Sequence, residues 1–172
     1  MNRKFFALLL TLLMVLAIVP ASAYADTVKD SGTEIAVLFT NDVHCAVDKN
    51  LGYQSVALAK ETLEEMGKEV LLVDVGDAVQ GDAIGTLSKG EYIIKIMNEL
   101  GYDVATIGNH EFDYGMEQFK KLTRLADFPY VSANFMDKNG ETVLDAYSMQ
   151  NVHGVKIAFV GVTTPKTITS ST

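Results

Sequence analysis

Two hydrophobic periods alternate along most of this chain. The run Glu34–Thr40 (EIAVLFT) is β-branched, apolar and of strand length. Residues Gln54–Met66 then place Val56, Ala59, Leu63 and Met66 at helical spacing, and Gly67 is positioned to end that helix. Glu69–Val75 (EVLLVDV) predicts a second strand, and Glu91–Leu100 a second helix with Ile93, Met97 and Leu100 on one face and Gly101 closing it. Asp103–Ile107 reads as a third strand. Met116–Ala126 reads as a third helix with Met116, Phe119, Leu122 and Ala126 turned inward, and Tyr130–Asn134, after Pro129, as a fourth strand. Strands alternating with helices predict an α/β fold built on a parallel sheet that helices cover. The rhythm then changes. Val143–Val152 and Val155–Val162 are both strand-like and separated only by His153-Gly154, a two-residue turn that predicts an antiparallel hairpin and a mixed sheet. A strand as apolar as Ile157–Val162 belongs in a sheet interior, yet only ten residues, 163–172, follow it. The domain is therefore expected to be incomplete.

The N-terminus follows different rules. Arg3 and Lys4 precede the apolar run Phe5–Val19, and Pro20 is followed by Ala21-Ser22-Ala23 and Ala23-Tyr24-Ala25, two overlapping small-residue cleavage sites. The run is shorter than the ~20 apolar residues a spanning helix needs. Residues 1–25 are thus expected to be a secretory signal peptide cut after Ala25, 26–33 a polar leader, and 34–172 the N-terminal part of one catalytic domain. The mature protein is then exported, to the cell surface, the medium or a periplasm, with no stable membrane span.

The charge count sharpens this reading. The whole chain has 14 basic and 22 acidic residues; without Arg3 and Lys4 the balance is 12 against 22, a net of −10. A domain this acidic repels polyanions, so no nucleic acid polymer is expected as a partner. The single cysteine, Cys45, excludes an internal disulfide framework despite export.

Three polar clusters stand directly after predicted strands: Asn41-Asp42-Val43-His44, Gly76-Asp77, and Gly108-Asn109-His110-Glu111-Phe112-Asp113. The carboxyl ends of parallel strands share one edge, where ligand sites form. Asp42 and Asp77 are 35 residues apart and Asp77 and Asn109 32, each the length of one strand–helix–strand step. The fold is therefore expected to gather residues the sequence keeps apart. Asp42 and Asp77 offer hard carboxylate oxygens, His44 a nitrogen and Asn109 a carbonyl oxygen. That mixture suits Mn, Zn, Co, Fe or Mg and differs from the thiolate set of structural zinc. A central carboxylate such as Asp77 can bridge two ions, which can activate a water to hydroxide and clamp a phosphoryl group for in-line attack.

With these clusters in place, the chain resembles the 5′-nucleotidase branch of the calcineurin-like metallophosphoesterases from about Glu34 onward. The resemblance is carried by TNDVH at Thr40–His44, GDAVQG at Gly76–Gly81, LSKGE at Leu87–Glu91, GNHEFDYG at Gly108–Gly115, SANF at Ser132–Phe135 and GVTTP at Gly161–Pro165. It implies a four-layer fold, mixed β-sheets sandwiched between helices, and hydrolysis of phosphate esters. The substrate it implies is a small-molecule phosphoester, a 5′-nucleotide or a 2′,3′-cyclic nucleotide, with two divalent metal ions as cofactors. It also implies that Asp42 and His44 hold the first metal, Asp77 bridges both, and Asn109 holds the second. His110, oriented by Asp113, acts on the transferring phosphoryl group, so that Asn109 and His110 both face substrate.

Two positions depart from the family. Cys45 stands where Gly is usual after the motif histidine, and Asp82-Ala83 follow Gln80-Gly81 where a small residue and Pro are frequent. A buried, space-filling thiol is the expectation for Cys45. Asp74, inside a strand, is expected to hydrogen-bond behind the site, and Glu111 is given no catalytic role. The family's later Gly-His-x-His motif and its base-binding C-terminal domain do not occur in these 172 residues, and His153 in the hairpin turn is not expected to replace them. The chain by itself is therefore expected to bind at most one metal, weakly, without turnover.

Overall fold

The computed structural model describes residues 32, 34–49, 51–165 and 167; the signal-peptide cleavage site and almost all of the polar leader lie outside them. The described residues from 34 onward form one compact unit. No helix among the described residues is long and apolar enough to cross a membrane.

Three parallel strands make the sheet, in the order β1 (Ile35–Thr40), β2 (Glu69–Asp74), β3 (Val104–Ala105). The β1–β2 register runs from Ile35 opposite Glu69 to Thr40 opposite Asp74, and β3 enters with Val104 opposite Val73. Alternation sorts the side chains, as a period of two requires. Leu72 and Asp74 point into the interior and are fully buried, whereas Val37 and Phe39 on the other face are 48% and 71% exposed.

The connecting helices are α1 (Tyr53–Glu65), α2 (Ala83–Ser88), α3 (Glu91–Leu100) and α4 (Met116–Leu125). Helix α3 buries Ile93 and Met97 and α4 buries Phe119 and Leu122, as their spacing predicted; α3 also buries Ile94, whereas Met116, expected to face inward from the first turn of α4, is 39% exposed. Helix α1 differs from expectation. Its anchor is Tyr53, while Ala59 and Met66 face solvent. Glycines at 67 and 101 close α1 and α3 with φ of 79° and 68°, left-handed values that only glycine adopts freely. Lys60 of α1 donates its ammonium to the Leu100 and Gly101 carbonyls, satisfying groups that the end of α3 leaves open. An aromatic cluster fills the interior: the Phe119 ring lies 4.9 Å from Phe112, 6.1 Å from Tyr130 and 6.2 Å from Phe135.

The expected fourth strand is reduced to single bridges, Ala105 with Tyr130 and Val131 with Asp145, because Ser132 N–H and Ala133 N–H donate to the Asp145 and Gly161 carbonyls. The hairpin forms as expected but shorter, β4 (Tyr147–Val152) against β5 (Val155–Val160), with His153 and Gly154 at the turn. His153 Nε2 lies 2.8 Å from Glu69 Oε1, a hydrogen-bond contact at the rim of the sheet. Val160 and Val162 are 64% and 66% exposed, so this face carries apolar side chains that nothing among the described residues covers. The described residues thus hold the α/β core of the expected sandwich: a parallel sheet with helices, plus an antiparallel hairpin.

Phe119→Ala should destabilise the fold by about 3–5 kcal/mol, the usual loss for emptying a ring-sized site in a packed core. Urea unfolding followed by circular dichroism checks this; a loss below about 1 kcal/mol would show that the aromatic cluster is loosely packed.

Candidate metal centre

The three motifs leave the sheet at one edge and continue to pair after the strands have ended. Asp42 N–H donates to Gly76 O, His44 N–H to Asp77 O and Cys45 N–H to Ala78 O, all at 3.0–3.1 Å. This loop ladder holds four non-glycine residues in left-handed backbone conformations: Asp42 (φ 54°), His44 (47°), Cys45 (61°) and Asp77 (59°). Each costs roughly 1–2 kcal/mol relative to a right-handed conformation, and such strain clusters at functional sites. The left-handed geometry at Cys45 also explains why glycine suits that position. Gly108 is needed for a different reason: a Cβ there would collide with the Asp77 carboxylate.

His44, Asp77 and His110 converge, with one ligand atom from each lying within 4.8 Å of the others. The two imidazoles meet edge to face with ring centres 5.1 Å apart. His44 Nδ1 lies 3.1 Å from Gln80 O, which directs its Nε2 outward. That Nε2 is 3.6 Å from Asp42 Oδ1. Asp42 therefore stands beside His44 but outside the tighter trio, and its other oxygen accepts a hydrogen bond from the Asn41 side chain. Asn109 precedes the 3-10 turn His110–Phe112 and is half-buried, and its side chain makes no capping bond there. His110 Nδ1 contacts Asp113 Oδ2 at 2.7 Å. That bond and the Asp113 charge push the His110 pKa above the usual imidazole range.

Two acids behind the trio complete the geometry. Asp74 is fully buried and accepts from Thr40 Oγ1 at 2.8 Å and from Gly76 N–H at 3.0 Å; Tyr102 OH lies 2.9 Å from the same threonine oxygen. Burial, with Glu111 nearby, pushes the Asp74 carboxyl up to about 7. Glu111 is 1% exposed and accepts three backbone N–H groups, from Asp77 and Ala78 at 3.0 Å and from Gly108 at 2.6 Å. Sequence reasoning anticipated Asp74 as a hydrogen-bonded group; it gave Glu111 no catalytic role and did not foresee its bonds to three backbone amides. Cys45 is the space-filler expected: it is 1% exposed and its Sγ packs against Gly85. Burial, together with the charges of Asp82 and Glu111, pushes its thiol up to about 12.

The donor set fits a divalent cation. Asp74, Asp77 and Glu111 crowd together, and no lysine or arginine forms an ion pair with any of them among the described residues. Clustered anions with oxygen and imidazole donors facing one point are what a hard or borderline cation neutralises.

Sheet, loop ladder and donor cluster together define an α/β protein with a candidate metal site at the carboxyl edge of its strands. The chain belongs to the calcineurin-like phosphoesterases, whose family model matches residues 35–168. It is 37% identical over 147 residues to a 5′-nucleotidase of Vibrio vulnificus, covering 80% of this chain and 27% of that protein. It is 32% identical to a 2′,3′-cyclic-nucleotide 2′-phosphodiesterase/3′-nucleotidase of Yersinia enterocolitica, covering 88% and 27%. Among solved structures, the NAD nucleotidase of Haemophilus influenzae superposes with a TM-score of 0.68 at 30% identity, over 79% of this chain and 27% of that one. The chain thus spans about a quarter of the length of these relatives.

Two measurements check the electrostatics. Cys45 should alkylate with iodoacetamide at least ~100-fold more slowly in the folded protein than in urea at pH about 8, because a raised pKa keeps it a thiol. The Asp74 pKa is raised on folding, so its contribution to stability is present below the ordinary carboxylate pKa and lost as pH rises through about 7. Denaturant stability should accordingly fall between about pH 4 and pH 8, with a shallower slope in Asp74→Asn. An unchanged slope would mean that Asp74 titrates normally.

Proposed function

We propose that this chain is the N-terminal part of the catalytic domain of an exported, metal-dependent phosphoesterase acting on nucleotides. The observation that carries the reading is the convergence of His44, Asp77 and His110 at the carboxyl edge of the sheet, with His110 held by Asp113. Asp42 and His44 would hold a first divalent ion, Asp77 would lie between two, and Asn109 would serve the second. Such ions supply an activated water and a clamp for phosphoryl oxygens. Mn, Zn, Co, Fe and Mg all suit the donors.

The protein's own groups have separate tasks. Asp77 Oδ1 accepts His110 N–H at 2.7 Å, which fixes the carboxylate plane and leaves the second oxygen for a cation. With Nδ1 bonded to Asp113, a protonated His110 presents its Nε2–H outward, where it can donate to a phosphoryl oxygen that gains charge in the transition state. Asn109 and His110 thus form the substrate side of the site. The names of the relatives favour nucleotides, either 5′-monophosphates or 2′,3′-cyclic forms. The signal-like residues 1–25 support export. Further ligands, with the Gly-His-x-His pattern, would come from a segment beyond Thr172.

A second reading concerns the 172 residues alone: a non-catalytic piece that binds one metal weakly. Its support is the donor count. The first ion would have three protein ligands at best and the second two, whereas a hydrolytic site keeps about three per ion with an open position for water.

The two readings give different assays. Supplied with excess Mn or Zn, the 172-residue chain should hydrolyse AMP and 2′,3′-cyclic AMP no faster than its His110→Ala variant, while the full-length protein should turn over one or both. In the full-length protein Asp77→Asn should lower kcat by at least ~100-fold with metal content reduced, and Cys45→Ala should keep most activity. Comparable metal loss in both variants would show that the thiol is a ligand and that the site has been misread.

A further inference from the structure

From the hydrogen bonds behind the cluster, we infer that Glu111 is a positioning residue: its carboxylate locks turns 76–78 and 108–110 in the one register that brings Asp77 to face His44 and His110. The inference rests on the metal-site reading above for its consequence, but its geometry stands apart from it.

Strand β2 ends at Asp74 and β3 at Ala105; Val75 N–H and Thr106 N–H still donate to the strand carbonyls of Thr40 and Asp74, but the amides of Asp77, Ala78 and Gly108 lie past the reach of the sheet. Glu111 takes three of them. Its Oε2 accepts Asp77 N–H at 3.0 Å and Gly108 N–H at 2.6 Å, and its Oε1 accepts Ala78 N–H at 3.0 Å. One side chain therefore ties together two turns that are more than 30 residues apart in sequence. Asp77 answers in kind, its Oδ1 accepting the His110 N–H at 2.7 Å. Each motif's acid holds the other motif's backbone, and the pair closes a ring of hydrogen bonds around Gly108.

The ring decides where the Asp77 carboxylate points. Asp77 sits at φ 59°, a conformation disfavoured for an L-residue, and Glu111 grips the amide of that same residue. Without the grip, the cheaper right-handed conformation would swing the side chain away from His44. An amide at position 111 is only half a substitute. Its oxygen can serve one side of the ring, but its NH2 then confronts N–H groups on the other. Aspartate is one methylene short of spanning both turns. The alternative is that Glu111 merely satisfies buried amides as any interior acid would. Asp103 provides the comparison, since its half-buried carboxylate accepts Leu72 N–H at 2.8 Å, in a contact that involves none of the three motifs.

The experiment uses the full-length protein, metal-free, as wild type, Glu111→Gln, Glu111→Ala and Asp103→Asn. Amide exchange by mass spectrometry is read in peptides covering 75–80, 106–111 and, as an internal control, 91–100. Co(II) affinity and its visible spectrum are read in parallel. Glu111→Gln should speed exchange at least ~10-fold in both turn peptides, leave 91–100 unchanged, and weaken Co(II) binding about 10- to 100-fold with an altered spectrum. Asp103→Asn should leave Co(II) binding within about twofold of wild type. Unchanged exchange in the turn peptides would overturn the inference, as would a Co(II) loss matched by Asp103→Asn. Failure of both Glu111 variants to fold would also overturn it, by making Glu111 a general prop of the core. If wild type binds no Co(II), the metal reading falls, and the exchange data alone decide whether Glu111 sets the two turns.

Discussion

Backbone amides that outlive their strands are the constraint on which this structure depends. Strands β1, β2 and β3 stop at Thr40, Asp74 and Ala105, yet the chain must run on through a half-buried edge where unpaired N–H groups are costly. The site's own residues resolve the problem. The loop after β1 donates its amides to carbonyls of the loop after β2, and the loop after β2 donates to Glu111. Polar satisfaction and site construction are thus the same set of bonds. The hydrogen bonds preorganise the site, because removing its geometry would strand its amides.

The same economy accounts for the strain. Four left-handed residues in two adjacent loops would together cost several kcal/mol in an isolated peptide. Here the His44, Cys45 and Asp77 amides are all bonded in that conformation. In these loops glycine stands where contact forbids a side chain, as at Gly108 against the Asp77 carboxylate. Where this chain has Cys45 in place of the glycine usual in the family, the left-handed geometry persists. The buried Sγ then occupies space beside Gly85, which has no Cβ to contest it. The substitution is structural in its cause and lies one residue from His44.

The sequence made some of this legible and hid the rest for physical reasons. Strands β1 and β2 and helices α3 and α4 were readable because each carries an unbroken period over a full element. Helix α2 was not, because it is a single turn and a half with glycine in its middle, buried against Cys45. The segment at Tyr130 has strand composition, but its later amides turn to Asp145 and Gly161 and leave only isolated bridges. At the site, residues that approach through their side chains, Asp77, His44 and His110, could be anticipated from motif order and strand ends. Glu111 could not, because a side chain that binds three main-chain amides leaves no spacing signature. Its one visible trace was a place inside the most specific motif of the chain.

Electrostatics joins the two halves of the argument. Burial, with neighbouring carboxylates adding to it, raises the free energy of the charged forms of Asp74 and Glu111, as the upward shift of both records. The hydrogen bonds that set the geometry offset part of this, since each amide donor favours the ionised carboxylate. The remainder is an excess of negative potential that faces the point where His44, Asp77 and His110 converge. A protein core ordinarily avoids such an excess. A cation at that point lowers the energy of every acid behind it at once, whether or not the acid touches it. On the proposed reading the buried acids would serve the function beside the exposed ones: Glu111 would tie the turns, and both would deepen the field that the exposed donors focus.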